Sequence, residues 1–425
     1  MMKKFYLTSI TLLLASPLWA ALTQNSFATR SVLAEGKWVK IGVESTGIYE
    51  ISYERLKQMG FENPEAVSIY GNGGEQQSMN FVGTAGNISI NDDLTPIKVW
   101  HHEGKIYFYG IGIEKINLRL QRNITLQAYY NRSGRNIYSN KGYYFLTDSS
   151  QGQKMTQSTS RKTSSLPLIE KGLSYVYHEN DIEQNTTATG QLFWGEDFCK
   201  SHEVTYPVSL PYALDNTTGY LQSDIYFGKN DEGKDISGTF SYGLKGETPF
   251  TTPIVKFTTS NYRAQNPSGG DVGVSSGNKE LFVSYESDEL PQTANVDFWV
   301  LSYACRIPDL KDKTTLAQQR FGTTGLTRGS TYRIQIPDAS SYALFNITDE
   351  NSPYVILPEN EGGNSSMSFT STSSYGEFVI IDTSRPQLQI SGYQDTFSPL
   401  ANQNLHAHRD EGADMLIICI PRYRE

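Results

Sequence analysis

Short runs in which apolar and polar residues alternate recur along this sequence, each stopped by glycine, asparagine or proline. Val39, Ile41 and Val43 alternate with Trp38, Lys40 and Gly42. Successive side chains of an extended chain point to opposite faces, so such a run makes a strand with one face in a core. A turn at Ser45-Thr46-Gly47 leads to a second strand, Ile48-Tyr49-Glu50-Ile51. Lys98-Val99-Trp100 and Lys105-Ile106-Tyr107-Phe108-Tyr109 flank His101-His102-Glu103-Gly104, a hairpin signal with glycine at the turn. The pattern constrains the chain to a mostly β fold of antiparallel strands.

One break in that pattern reads as a helix. Ser52 is placed to cap residues 53–59, Leu56 and Met59 share one face, and Gly60 stops it. Together with Val67-Ser68-Ile69-Tyr70 and Gly142-Tyr143-Tyr144-Phe145-Leu146, these elements define an N-terminal antiparallel β domain over residues 31–148. Residues 149–165 are mostly Ser, Thr, Gln and Lys, a composition that buries little and reads as a linker. A β-sandwich domain is expected over 166–309, from strands such as Val204-Thr205-Tyr206-Pro207-Val208, Asp224-Ile225-Tyr226-Phe227 and Val296-Asp297-Phe298-Trp299-Val300. Residues 310–395 supply a third set of strands, which completes that sandwich or forms a unit of its own.

The two ends differ from this body. Met1-Met2-Lys3-Lys4 followed by an apolar stretch over 5–15 and small residues at Ala20 and Ala21 reads as a secretory leader over 1–20. Its apolar core is about half of the roughly 20 residues a membrane span needs. The chain is therefore expected to cross the inner membrane and reside in the periplasm or at the outer cell surface, with no transmembrane segment after leader removal. At the other end, Met415-Leu416-Ile417-Ile418-Cys419-Ile420 is apolar without alternation, as a strand buried on both faces of a parallel sheet would be. Residues 396–425 are expected to open an α/β domain and to stop inside its first strand.

Composition excludes one function class. Of 36 basic residues the leader removes Lys3 and Lys4, leaving 34 against 45 acidic, a balance of −11. Nucleic-acid binding depends on neutralising phosphates with Lys and Arg, so no nucleic-acid partner is expected. With 27 Tyr and 36 Gly the mix is that of a secreted β protein. Three cysteines, Cys199, Cys305 and Cys419, are too few and too far apart for a disulfide scaffold, although a single Cys199–Cys305 bridge stays open.

No constellation of residues assembles a reaction centre. Cys199 and His202 lie three apart, an offset that points them to opposite faces of a strand. His101-His102 reads as a solvated turn, and His406-Ala407-His408, next to Arg409 and Asp410, as an exposed connector. Gly71-Asn72-Gly73-Gly74 follows a strand as a phosphate loop would, yet Glu75-Gln76-Gln77 supplies neither lysine nor a helix, so a tight turn is expected. Asp92-Asp93 and Glu196-Asp197 are carboxylate pairs of an acidic surface. The expectation is no catalytic, cofactor-binding or metal-ligating residue, and no cofactor.

An ordered set of segments resembles a known family. They are Ser31-Val32-Leu33-Ala34-Glu35-Gly36-Lys37-Trp38, Gly47-Ile48-Tyr49, Ile69-Tyr70-Gly71-Asn72-Gly73-Gly74, Asn136-Ile137-Tyr138-Ser139, Tyr143-Tyr144-Phe145-Leu146-Thr147, Phe193-Trp194-Gly195-Glu196, Asp297-Phe298, Phe345-Asn346-Ile347-Thr348-Asp349 and Asn402-Gln403-Asn404-Leu405-His406-Ala407. Ala413-Asp414-Met415-Leu416-Ile417-Ile418 follows the last of them. In this order they resemble the amino-terminal, pre-catalytic region of the gingipain-like (C25) cysteine peptidases that serve as sortases of type IX secretion in Bacteroidetes. The resemblance implies a surface enzyme that removes the C-terminal signal of secreted cargo and attaches the cargo to the cell surface. Implied partners are that cargo and the outer-membrane proteins of a type IX attachment complex. The family's catalytic Cys and His lie beyond the segment matched by 413–418, so no residue here inherits them, and Cys419 among apolar neighbours is a core residue. Three readings follow: a non-catalytic N-terminal portion of a truncated sortase, a stand-alone secreted β protein that binds partners without peptidase activity, and a self-sufficient peptidase. The first is the one adopted, with the second as its alternative.

Overall fold

The computed structural model describes residues 28–405, save 78–90, 115, 122–124, 131–134, 151, 160–164, 181–182, 185–192, 230–231, 255–262, 266–267, 309, 311–316, 338–340, 362–363 and 393–395. The apolar run 415–420, with Cys419, the pair His406 and His408, and residues 1–20, where a leader is expected, lie outside the described residues.

The N-terminal module is a small sandwich. One sheet has the strand order Ser68–Tyr70, Gly142–Thr147, Val39–Val43, Ser391–Gly392. The other runs Leu388–Gln389, Gly47–Ser52, Lys105–Gly110, Lys98–His102, Gln153–Lys154. Val39, Ile41, Val43, Ile51, Ile106, Phe108 and Leu146 close the core between them, all at most 2% exposed. The helix Tyr53–Gln58 forms as its sequence dictates: the Ser52 hydroxyl accepts from the Arg55 amide at 3.0 Å, and Gly60 ends it at φ +87°. Leu56 and Met59 seal the sandwich from one side. The Lys98–Lys105 hairpin turns on Glu103 (φ 46°) and Gly104 (φ 71°) alone, so His101 and His102 end its first strand rather than forming the turn.

Residues 166–382 do not fold as two separate sandwiches. A single ten-stranded sheet runs through both sets of strands. Its path is Gln157–Thr159, Tyr354–Leu357, Tyr342–Asn346, Tyr375–Asp382, Gln318–Thr324, Lys171–Glu179, Ala294–Arg306, Thr217–Gly228 and Arg263–Gln265, with Ser268–Val274 also on Thr217–Gly228. Two smaller sheets pack on one face of it. The first contains Glu203–Leu210, Gly277–Glu286, Thr239–Leu244 and Phe250–Pro253; the second contains Thr331–Pro337, Asn364–Thr370 and Glu359–Glu361. One apolar core, from Leu244 and Val283 through Phe321 to Ile334 and Met367, fills the layer beneath both.

The other face of the large sheet is covered by the N-terminal module. Ile48, Trp100, Tyr107 and Tyr109 meet Ala343, Phe345, Val379 and Ile381, with Trp100 edge-on to Phe345 at 5.7 Å. The hairpin Ile116–Gln121/Thr125–Tyr130 reaches across the remainder, placing Ile116, Leu118 and Ala128 on Phe298 and Val300. This three-layer order explains the continuous apolar runs Phe298-Trp299-Val300-Leu301 and Phe378-Val379-Ile380-Ile381. Both strands are antiparallel to their neighbours yet buried on both faces. In these two strands the unbroken apolar run therefore marks double coverage within antiparallel pairing.

Within 149–165, backbone pairing replaces the missing apolar side chains. Gln153–Lys154 runs parallel to Lys98 and Val99, and Gln157–Thr159 runs parallel to Val355, Ile356 and Leu357. Met155, between them, is 6% exposed in the interlayer core. After the large sheet the chain returns to the N-terminal module. Leu388–Gln389 pairs with Tyr49 and Glu50, Ser391–Gly392 with Ile41 and Gly42, and Pro399 bridges Val39. Asn404 Oδ1 accepts from the Ser31 amide at 2.9 Å, and the Gln403 amide donates to the Leu33 carbonyl at 3.1 Å.

Candidate functional site

The sequence candidates do not converge. The Cys199 thiol, half-buried, donates to the Pro291 carbonyl at 2.7 Å, while the His202 imidazole stacks on Tyr285 at 4.6 Å. His202 reaches that position with φ 61°, in the left-handed region, and each group has its own partner. Cys305 is fully buried and its thiol is pushed up to about 12 by burial. No disulfide joins Cys199 to Cys305. Brief iodoacetamide treatment of the native protein, read by peptide mapping, is expected to leave Cys305 unmodified until the chain is unfolded; rapid labelling in the folded state would contradict its placement.

His101 Nδ1 lies 2.8 Å from the Tyr53 hydroxyl, and His102 stacks on Trp100 at 4.4 Å, so each ring serves the hairpin it ends. The glycine segment makes the tight turn its residues imply. Gly73 has φ +82°, and Asn72 spans the turn by donating to the Asp93 carbonyl at 2.9 Å while accepting from the Thr95 hydroxyl. A Cβ on Gly74 would meet the Gly112 carbonyl oxygen and Gly142 Cα at 2.6 Å, so three backbones meet there and leave no room for a phosphate. The Asp93 carboxylate accepts from the Val32 amide at 2.8 Å and the Leu94 amide at 2.8 Å, and so tethers the start of the described chain.

Glu196 is the sequence candidate that gains most from the fold. Residues 195–198 run beside Ala294–Arg306, where the Val296 amide donates to the Glu196 carbonyl at 3.0 Å and Asn295 Nδ2 to the Gly195 carbonyl at 3.2 Å. This brings the Glu196 carboxylate against His178 Nε2 at 2.9 Å, Asn180 Nδ2 at 3.2 Å and the Tyr206 hydroxyl at 2.8 Å. Burial would push the carboxyl up, but these donors outweigh it and hold it at about 2. A carboxylate so fully hydrogen-bonded has no basicity near neutral pH, which makes it a structural tie between strands. Its stabilisation is present above the unfolded carboxylate value near 4.5 and is lost as pH falls towards 2. The Glu196 side chain is 23% exposed, so screening limits the effect. The stability gap between wild type and Glu196→Gln is expected to be about 1–2 kcal/mol at pH 6 and to close between pH 4.5 and 2 in urea titrations.

A second polar cluster lies between the layers, and nothing in the local sequence announces it. Arg320, on Gln318–Thr324, forms an ion pair with Glu377 and a longer one with Glu350 at 3.4 Å. Burial opposes its charge, but the facing Glu377 carboxylate holds the guanidinium well above its ordinary value. The rings of Tyr175 and Tyr109 lie 5.6 and 6.0 Å from it. On the same strand, the Gln318 side chain imitates a strand neighbour: Ile48 N–H donates to its Oε1 at 2.8 Å, and its Nε2 donates to the Ile48 carbonyl at 2.9 Å. A cavity of about 40 Å³ beside Arg320 is lined by Thr46, Glu114, Tyr175, Tyr177 and Glu350, room for little more than water. Among the described residues, no group of three or more His, Cys, Asp or Glu side chains is arranged to hold a metal.

These features define a layered β scaffold whose polar clusters join its parts. Its fold is PorU-like. The crystal structure of dimeric latent PorU from Porphyromonas gingivalis matches over 90% of this chain with a TM-score of 0.71 at 21% identity, and the chain spans 35% of that protein's length. CBM35 from Cellvibrio japonicus Abf62 aligns with 34% of this chain and 97% of its own at 15% identity, with a TM-score of 0.20, too low to bear on the fold. No protein-family model and no curated protein matches the sequence. No helix among the described residues is long and apolar enough to cross a membrane.

Proposed function

We propose that this chain is the non-catalytic N-terminal portion of a type IX secretion sortase of the PorU type. Its full-length relatives would cleave the C-terminal signal of cargo proteins and attach them to the cell surface. The observation that carries this reading is the match to PorU over nine-tenths of the chain, through the N-terminal module and the shared sheet alike. The separate engagement of Cys199 and His202 agrees with it, because a thiol peptidase needs its imidazole on the sulfur. In this role the chain is a scaffold, exported by its leader to the periplasm or outer surface. There it holds a peptidase domain, cargo and outer-membrane partners in relation to one another.

The purified chain is expected to leave cargo C-terminal signal domains uncleaved over a day at neutral pH under reducing conditions. Cleavage that disappears on Cys199→Ala would overturn the non-catalytic reading.

A further inference from the structure

We infer that the large sheet carries a hinge at its middle, and that the N-terminal module is the splint that holds the hinge closed. The two strands that meet there, Lys171–Glu179 and Gln318–Thr324, are well held by their outer neighbours. The first makes nine ladder pairs with Ala294–Arg306, and the second makes seven with Tyr375–Asp382. Between themselves they make one, Leu173 opposite Gly322. Side chains fill part of the rest: the Ser174 hydroxyl donates to the Arg320 carbonyl at 3.1 Å, and Gln319 Nε2 donates to the Ser174 hydroxyl at 2.8 Å. A sheet resists shear through its ladder, so this line is where the two halves can turn against each other.

The layer above the seam is fastened on both sides of it. On one side, Gln318 holds both backbone groups of Ile48, Lys98 Nζ donates to the Ser352 hydroxyl at 2.7 Å, and Trp100 packs on Phe345. On the other, Ile116 and Leu118 pack on Phe298 and Val300, and the Ala128 amide donates to the Ser302 hydroxyl at 2.8 Å. All of these upper contacts come from the N-terminal module and its hairpin. Arg320, Tyr175 and Tyr177 lie at the seam beneath them, around the small cavity.

The opposite face supplies a bearing. Phe321, Tyr303 and Cys305 keep the apolar core continuous under the seam, and Gly172 lies so close to the Gly322 carbonyl that a Cβ would approach it to 2.8 Å. The halves therefore stay in contact while their angle is set from above. Residues 388–405 also return to the N-terminal module. Release of the splint would thus reorient the 203–306 sandwich relative to residues 388–405.

Hydrogen exchange of the intact chain, read by mass spectrometry, tests this. In the wild type, peptides covering 171–179 and 318–324 are expected to exchange at least tenfold faster than those covering 217–228 and 342–346. The double variant Gln318→Ala, Ser302→Ala, which loosens one fastening on each side, is expected to widen that ratio by a further tenfold with the reference peptides unchanged. Equal protection of all four segments in the wild type would overturn the hinge. A variant that accelerates all segments alike, or none, would overturn the splint. If the variant does not fold, the wild-type ratio decides the hinge, and the single variant Ser302→Ala, with the same readout, decides the splint.

Discussion

Arg320→Met is expected to lower the unfolding free energy by about 3–5 kcal/mol, the cost of leaving buried carboxylates without their counter-charge. Glu377 is 6% exposed and has the guanidinium as its ion-pair partner, with Glu350 sharing the same group. Methionine fills a similar volume, so the loss would report charge more than packing. Adding Glu377→Gln to Arg320→Met removes most of the stranded charge and is expected to recover at least half of the loss, because a buried pair replaced as a unit is often nearly neutral. Urea unfolding of the three variants beside the wild type measures this. If Arg320→Met costs under about 1 kcal/mol, the value of a surface pair, the cluster is not sealed between the layers.

Removing residues 388–425 is expected to unfold the N-terminal module selectively. The deletion strips an edge strand from each sheet of that module and takes Leu388, Ile390 and Phe397 from its core. These side chains are only partly buried, so about 1–2 kcal/mol each is a fair figure, and about 3–6 kcal/mol is lost in all. The expected result is selective: near-ultraviolet dichroism and exchange protection over 39–51 and 98–110 are lost, while 217–228 and 277–286 stay protected. Intact protection of the N-terminal module would show that the returning segment decorates the module without completing it.

The N-terminal module was largely legible in the sequence because its strands have one face in a core. The alternation of Val39, Ile41 and Val43, the Ser52 cap and the Gly60 stop are local signals, and each appears where the residues place it. Gln318–Thr324 was not legible. Gln318-Gln319-Arg320 has no apolar period, and its burial depends on Ile48, Glu350 and Glu377, which sequence separation hides. The union of the second and third strand sets in one sheet was hidden for the same reason, since that strand connects them. The strands Ala294–Arg306 and Tyr375–Asp382 read as strands, but their coverage on both faces was not legible, because it depends on the layers that pack on them. Glu196 read as a surface acid. Its partners His178 and Tyr206 arrive from different strands, and only stacked sheets bring them together.

The proposal that the chain is a sortase scaffold is tested most directly in the cells that make it. An antibody raised against the purified chain would be used to fractionate those cells and to precipitate its antigen under mild detergent, with mass spectrometry of the captured proteins. The expected result is antigen in the outer-membrane or surface fraction, lacking residues 1–20, together with secreted cargo and outer-membrane proteins. Antigen in the cytoplasm with Met1–Ala20 still attached, and no such proteins beside it, would contradict the proposal.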